Sequence, residues 1–277
     1  MIDPIYKFLP PSRDSYIEDG KLRFSQPRSL NDPFELVNFN VLKGYEQHLI
    51  SSFQSELQRI EKISDPSIRE IERQGVQSAI DEELACVGRK GSKELTKFTQ
   101  DIIDKFGKKL GVLSLSDRWN SSLMWSHYAQ RHTGFCVGFD RSHPFFADET
   151  LQKTKLRPVV YGLARIDFEE EIQGLGPRIP FYKSPEWAYE EESRITFYWE
   201  RNGPINFTEL KAENPPGTPV RLLHVPHESI CELLIGMETP ADLKEKIIKF
   251  AARLRVPVFE TFQSVTKLTL ERGELIL

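Results

Sequence analysis

The stretch SPEWAYEEESRITFYW, residues 184–199, carries three consecutive carboxylates, Glu190, Glu191 and Glu192, among aromatic residues, with Arg194 two positions on. Neighbouring carboxylates repel one another and resist burial, so their crowding calls for a reason. Read as extended chain, residues 188–198 put Glu190 and Glu192 on one strand face with Arg194 beside them, and Trp187, Tyr189 and Glu191 on the other. Such a pair divides labour. One carboxylate hydrogen-bonds a sugar hydroxyl and stabilises positive charge developing on a ribose, while the other orients or deprotonates a nucleophile. Two other readings stay open. A surface charge ladder neutralised by Arg194 has the same spelling. Ser184, Pro185 and Glu186 also make a good helix start, and on a helix residues two apart point to nearly opposite sides.

The chain has 277 residues, 28% of them charged, with a formal net charge of −4. That balance gives no global field to gather nucleic acid, so any such substrate needs a local basic patch. Arg89, Lys90, Lys93, Lys97, Lys105, Lys108 and Lys109 form one candidate, although Glu94, Asp101 and Asp104 make an ordinary solvated helix face the simpler account. Cys86, Cys136 and Cys231 are too scattered for a disulfide framework or a cysteine zinc site. The N-terminus MIDPIYKFLPPSRD lacks an apolar signal core, and no stretch has the length of an apolar membrane span. A cytoplasmic protein without a membrane partner is expected.

Along the chain, PIYKF and KLRFS read as short strands, and PRSLNDPFE as a Pro/Asn/Asp loop. From about 45 to 110 the apolar spacing turns helical, with Gly88 and Gly91 as breaks, which indicates two or three inserted helices. GVLSLS is then a strand. NSSLMWSHYAQRHTG is a helix with Asn120 or Ser121 as N-cap and Gly134 where a C-terminal cap would lie. FCVGFD, RPVVYG, RITFYW, ICELLIGM and VPVFETF are further strands, and Pro240 opens a helix. Pro215, Pro216, Gly217 and Pro219 mark a surface loop. These elements together predict one α+β domain over 1–277 with a helical insertion at about 45–110.

Three lesser motifs remain. Ser114 and Ser116 share a strand face, where small hydroxyls let a flat ligand approach, or simply face water. Asn31, Asp32 and Glu35 in LNDPFE are turn chemistry first, and metal ligands only with a partner the spacing does not supply. His127 and Arg131 sit one turn apart on the expected helix, where Trp125 and Tyr128 are expected to pack it on the sheet; the pattern is not a metal motif, and a Ser114–His127–Asp140 hydrolase lacks a nucleophile elbow.

Taken together, YKF at 6–8, LRFSQPRSLNDPFE at 22–35, SLS at 114–116, LMWSHYAQRHTGFCVGFD at 123–140, VVYG at 159–162 and K-x-x-x-W-x-Y-E-x-E-x-R at 183–194 resemble a family of bacterial domains of unknown function. More distantly, an aromatic-plus-polar first strand, a Ser-x-Ser strand and an aromatic segment ending in Glu-x-Glu are similar to the ADP-ribosyltransferases. That resemblance implies a split β-sheet core and NAD as substrate. It implies that Lys7 holds the nucleotide, where the superfamily has His or Arg, with Arg13 or Arg23 as alternative guanidinium donors. It further implies that Ser114 or Ser116 braces the ribose and that Tyr6 or Trp125 stacks on nicotinamide. Glu192 would be catalytic and Glu190 directed at the acceptor, with Arg194 keeping both ionised. A toxin or phage-defence effector modifying nucleic acid or protein, held by an antitoxin or regulatory partner, is the expectation. A metal-dependent nuclease using Asp32, Glu35 and Glu192, or a non-catalytic sensor, is the alternative.

Overall fold

The computed structural model describes residues 2–35, 40–90, 93–107, 109–148, 153–166, 178–199, 207–210 and 220–275. Gly91, Lys108, Pro215, Pro216, Gly217 and Pro219, and the side chains of Gly88, Arg89, Lys90, Glu94 and Phe106, lie outside what is described. Two compact units emerge: Met1–Pro33 with Gly107–Gly162 and Phe181–Leu277, and Phe34–Phe106 with Leu163–Pro180.

The helical insertion expected at about 45–110 holds four helices among the described residues rather than two or three, and the third of them runs through Gly88, where a break was expected. They are α2 (Val41–Ser52), α3 (Gln54–Glu61), α4 (Pro66–Lys90) and α5 (Lys93–Gly107), preceded in the chain by a one-turn α1 (Tyr16–Asp19) in the first unit. Asn40 caps α2 by accepting from the Lys43 amide, the role its short polar side chain suits. Tyr45 packs edge-on against Phe98.

The first unit is built on strands β1 (Pro4–Leu9), β2 (Lys21–Phe24), β3 (Leu110–Ser116), β4 (Phe135–Asp140), β5 (Arg157–Pro158), β6 (Val160–Tyr161), β7 (Tyr182–Lys183), β8 (Glu192–Tyr198), β9 (Thr208–Leu210), β10 (Val220–His224), β11 (Ile230–Ile235), β12 (Val258–Gln263) and β13 (Leu270–Leu275). Eight of them form a mixed sheet in the order β13-β12-β11-β4-β1-β3-β8-β5, parallel only between β11 and β12. The crossover between those two is helix α8 (Ala241–Leu254); the helices before it are α6 (Ser122–Tyr128) and α7 (Pro144–Ala147). Leu243, Ile247 and Phe250 of α8 are buried with Ile5, Leu113, Leu115, Val137, Ile195 and Phe197 in the larger core. The opposite sheet face holds a smaller cluster around Tyr6, Phe8, Met124 and Trp125.

One irregularity opens the sheet. β1 and β3 share a single register pair, Tyr6↔Ser116. Further along, β3 is bridged instead to the β2–β10–β9 sheet through Ser25↔Val112. The Nζ of Lys7 donates 2.8 Å to the carbonyl of Ser114, a β3 group in this diverging stretch.

Helix α6 is capped as expected by Ser121, which accepts from the Met124 amide. It ends at Tyr128, short of Gly134, because Gln130, Arg131 and His132 all adopt positive φ. Arg131 is therefore not a helical neighbour of His127. Gly134 is no cap: a Cβ there would lie 2.0 Å from the carbonyl oxygen of Leu9, so the residue serves the close approach of β4 to β1. Trp125 anchors the helix. Its ring is fully buried, meets Phe8 edge-on at 5.3 Å and stacks on His132 at 6.0 Å. Replacing Trp125 by Ala should cost about 3–5 kcal/mol in urea unfolding, whereas Leu123→Ala, on the same helix but exposed, should stay within about 0.5 kcal/mol. Equal effects would mean that α6 is not held through Trp125.

Candidate active site

Cross-strand partners on a sheet project to the same face. In β3 and β8 the register is Ser114↔Arg194 and Ser116↔Glu192, so Leu113, Leu115, Ile195 and Phe197 fill the larger core while Ser114, Ser116, Glu192 and Arg194 line the other face. This much follows the strand reading of the sequence.

Glu190 reaches the site differently. Pro185–Glu190 is a 3-10 helix begun at Ser184 with proline first, so the helix-start reading describes residues 188–190 and the extended one does not. Glu191 then takes a left-handed conformation, φ 41° and ψ 56°, and β8 begins at the next residue. The shared strand face expected for Glu190 and Glu192 is thus corrected: a helix end, a left-handed residue and a strand start bring the two carboxylates to one ammonium. That ammonium is Lys183 of β7, whose Nζ donates 2.7 Å to Glu190 Oε2 and 3.2 Å to Glu192 Oε2. The left-handed turn sends Glu191 outward, where it pairs with Arg118 at 2.7 Å.

Glu192 is gripped further by Arg194, from Nε to Oε1 at 2.7 Å and from Nη2 to Oε2 at 2.9 Å. The Tyr161 hydroxyl accepts from the Glu192 amide. On Glu190, Oε1 accepts from the Tyr128 hydroxyl at 2.5 Å, that hydroxyl accepts from Asn31 Nδ2, and the Glu190 carbonyl accepts from Ser116 Oγ at 2.7 Å. Lys183, Glu190, Glu192 and Arg194 all retain 5% or less of their surface exposed, a degree of desolvation that only pairing and hydrogen bonding make tolerable.

The two carboxylates are pushed apart. Burial lifts Glu190 above the usual carboxylate value, and the Glu192 charge adds to this while Lys183 opposes it. Burial works on Glu192 in the same sense, but the charge and hydrogen bonds of Arg194, then Lys183 and a hydrogen bond from Ser114, outweigh it and hold the group at about 2. Burial alone would lower Lys183; the two carboxylates raise it instead. One carboxyl is thereby kept ionised and its neighbour is made the better proton acceptor, which is the environment-driven division found in acid–base pairs.

A cavity of about 200 Å³ opens beside them, lined by Tyr6, Lys7, Ser114, Ser116, Glu190, Glu192 and Arg194 among others. Of the residues expected at the transferase site, these seven meet at one place, and Arg13 and Arg23, the alternative guanidinium donors, are not among those lining it. Nor is Trp125: it is sealed in the smaller core with its Nε1 donating to the Trp119 carbonyl. Tyr6 borders the cavity with its hydroxyl tied to Glu232. Lys7, half-buried, is pushed down to about 8, by burial first and then, against the pull of Glu192, by Arg23.

Among the described residues, no group of three or more His, Cys, Asp or Glu is placed to hold a metal ion. Asp32 and Glu35 are buried, Glu35 within the other unit. His127 packs between Tyr128 and Tyr189 rather than on a serine. The sequence reading gave Lys183, Tyr128 and Tyr161 no role at the site. All three do fall within the quoted motifs, but only folding shows that they face the carboxylates.

Residues 124–195 match the model of a family described as "Protein of unknown function (DUF2971)". This segment thus shows the resemblance to a domain-of-unknown-function family, and it carries Tyr128, Lys183, Glu190, Glu192 and Arg194 while leaving out β1, β2 and β3. No curated protein and no solved structure matches the chain.

Removing Lys183 leaves two buried carboxylates short of a counter-ion. Lys183→Met should therefore destabilise the protein by about 3–5 kcal/mol, with part of the loss recovered in the Lys183→Met/Glu190→Gln double variant. A double variant as unstable as the sum of its parts would show that the residues are not coupled. Acid titration offers a second check. A carboxyl held at about 2 contributes stability that is complete above its unfolded value near 4.5 and is lost as pH falls toward 2. Wild type should lose more stability than Glu192→Gln across that window in pH-dependent melting, and parallel curves would contradict the assignment.

Proposed function

We propose that this chain is an NAD-dependent ADP-ribosyltransferase, acting on nucleic acid or protein as a toxin or phage-defence effector under the control of an antitoxin or regulatory partner. The observation that carries the reading is a carboxylate pair with opposed proton affinities on the wall of a cavity that also presents Ser114, Ser116 and Lys7. Glu192, kept ionised by Arg194, accepts a hydrogen bond from a ribose hydroxyl and stabilises positive charge at C1′ as the bond to nicotinamide breaks. Ser114 and Ser116 brace the ribose. Glu190 takes the proton from the incoming nucleophile as its bond to C1′ forms, and Tyr128 and Lys183 hold that carboxylate in place. In this reading Lys7 holds the nucleotide and Tyr6 stacks on nicotinamide, both residues lining the cavity.

The same geometry gives the metal-dependent nuclease less support. Each oxygen of Glu190 and Glu192 already accepts from Lys183, Arg194 or Tyr128, and a divalent cation would have to displace them. No helix among the described residues is long and apolar enough to cross a membrane.

The test uses NAD labelled in its adenylate phosphate, incubated with protein and separate RNA, DNA and lysate-protein pools. Wild type should transfer label into one pool, and Glu192→Gln should reduce transfer by about 100-fold or more. Glu190→Gln should release nicotinamide while losing label transfer. Folded wild-type protein that leaves NAD intact with every pool would overturn the reading, as would a fully active Glu192→Gln.

A further inference from the structure

The hydroxyl of Tyr6 is turned away from the cavity that the residue borders. It donates 2.9 Å to Oε1 of Glu232 on β11, two strands away from β1. Neighbouring strands lie about 4.8 Å apart, so a bond across two spacings must pass over the strand between them. That strand is β4, and the residue beneath the bond is Gly138, the register partner of both Tyr6 and Glu232. A Cβ on Gly138 would lie 2.7 Å from Glu232 Cγ and 3.2 Å from Tyr6 Cε1. The register of β11 on β4 also shifts between Ile230 and Glu232, a bulge of the kind that re-aims a side chain.

Glu232 is held in turn from the edge of the sheet. Arg272 of β13 donates 2.6 Å from Nη1 to the same Oε1, with its guanidinium over the rings of Phe259 at 4.2 Å and Trp119 at 5.0 Å. Glu232 is buried, and a carboxylate out of water is costly unless it is paired and hydrogen-bonded. An aromatic residue that only fills a core needs none of these partners, since phenylalanine packs the same ring. Burial first, then the Glu232 charge, hold the Tyr6 phenol above its ordinary value, which keeps its proton in this bond.

The same cross-strand row runs on to the carboxylates. Tyr6 is in register with Ser116, and Ser116 with Glu192. Residues in register share a sheet face, so Glu232, Gly138, Tyr6, Ser116 and Glu192 lie in one line across β11, β4, β1, β3 and β8. We infer that Glu232, itself fixed by Arg272, is a positioning residue that holds the Tyr6 ring as a flat wall for the planar group of a ligand bound beside Glu192. The inference rests on the transferase reading for the identity of that group, nicotinamide, and on the Tyr6–Glu232 bond for the rest.

NAD kinetics and crystal structures of the variants test it. Glu232→Ala should leave the Tyr6 ring displaced or spread over two rotamers. It should raise KM for NAD about five- to tenfold and keep kcat within about threefold, because contact with the wall stabilises ground and transition states alike. Glu232→Gln keeps an oxygen that accepts from the phenol and should restore both ring and KM. Tyr6→Phe removes only the hydroxyl, so it should raise KM by a similar factor, and adding Glu232→Ala to it should raise KM no further. A Tyr6 ring unmoved in Glu232→Ala, a displaced ring with KM unchanged, or effects that add in the double variant would overturn the inference. If folded wild type leaves NAD intact, the transferase reading falls alone, provided that the ring is displaced in Glu232→Ala and restored in Glu232→Gln; an unmoved ring would sink both.

Discussion

Lys183 is one ammonium serving two buried carboxylates, and the surrounding geometry answers to that shortage of charge. Glu190 and Glu192 lie out of water, where each unpaired charge would cost several kcal/mol. Arg194 completes the pairing of Glu192 from two residues along the same strand, and Tyr128 completes that of Glu190 from helix α6. Ser114 and Ser116 add hydrogen bonds from the neighbouring strand. The asymmetry of these partners separates the two proton affinities, since a guanidinium fork grips one carboxylate and a phenol hydroxyl the other. Chemistry that needs a fixed anion beside a proton acceptor finds both here.

A second constraint is the parting of β1 from β3. A continuous antiparallel pairing would satisfy the strand carbonyls with amides and leave no room for a ligand. Here β3 turns toward β2 after one pair, and a lysine side chain reaches across to the Ser114 carbonyl. The gap is therefore both the wall of the cavity and the place where positive charge collects. On the carboxylate side that charge is neutralised by Glu190 and Glu192.

Much of this was legible in the residues. Short apolar or alternating runs identified β1, β2, β3, β4 and β8, and period two put Ser114 with Ser116 and Glu192 with Arg194. A cap identified α6, Pro240 and one apolar side identified α8, and the helical spacing at 45–110 marked the insertion without resolving its four helices. The rest escaped for physical reasons. β6 and β7 have two residues each, too few for a period, so Lys183 had no face to be assigned to. The left-handed Glu191 was not foreseeable, because a carboxylate side chain seldom takes that conformation without a fold to hold it. Three successive left-handed residues after Tyr128 likewise cut short a helix whose composition would have continued it. Trp125 packs its helix on the sheet as its place in the sequence suggested, and only the ADP-ribosyltransferase resemblance made it a ligand platform.

The passage from Pro185 to Glu192 also limits what lengths of chain the site tolerates. A 3-10 helix turns by about 120° per residue, and it begins two residues after Lys183 and ends on Glu190. One residue inserted or deleted between them would rotate the Glu190 side chain about a third of a turn away from the ammonium, while leaving Glu192 and Arg194 fixed by their strand. The interval between Lys183 and Glu190 is thus as much a part of the site as the residues at its ends. In related chains, a gap within it would mark loss of the carboxylate pair even where every named side chain is still present.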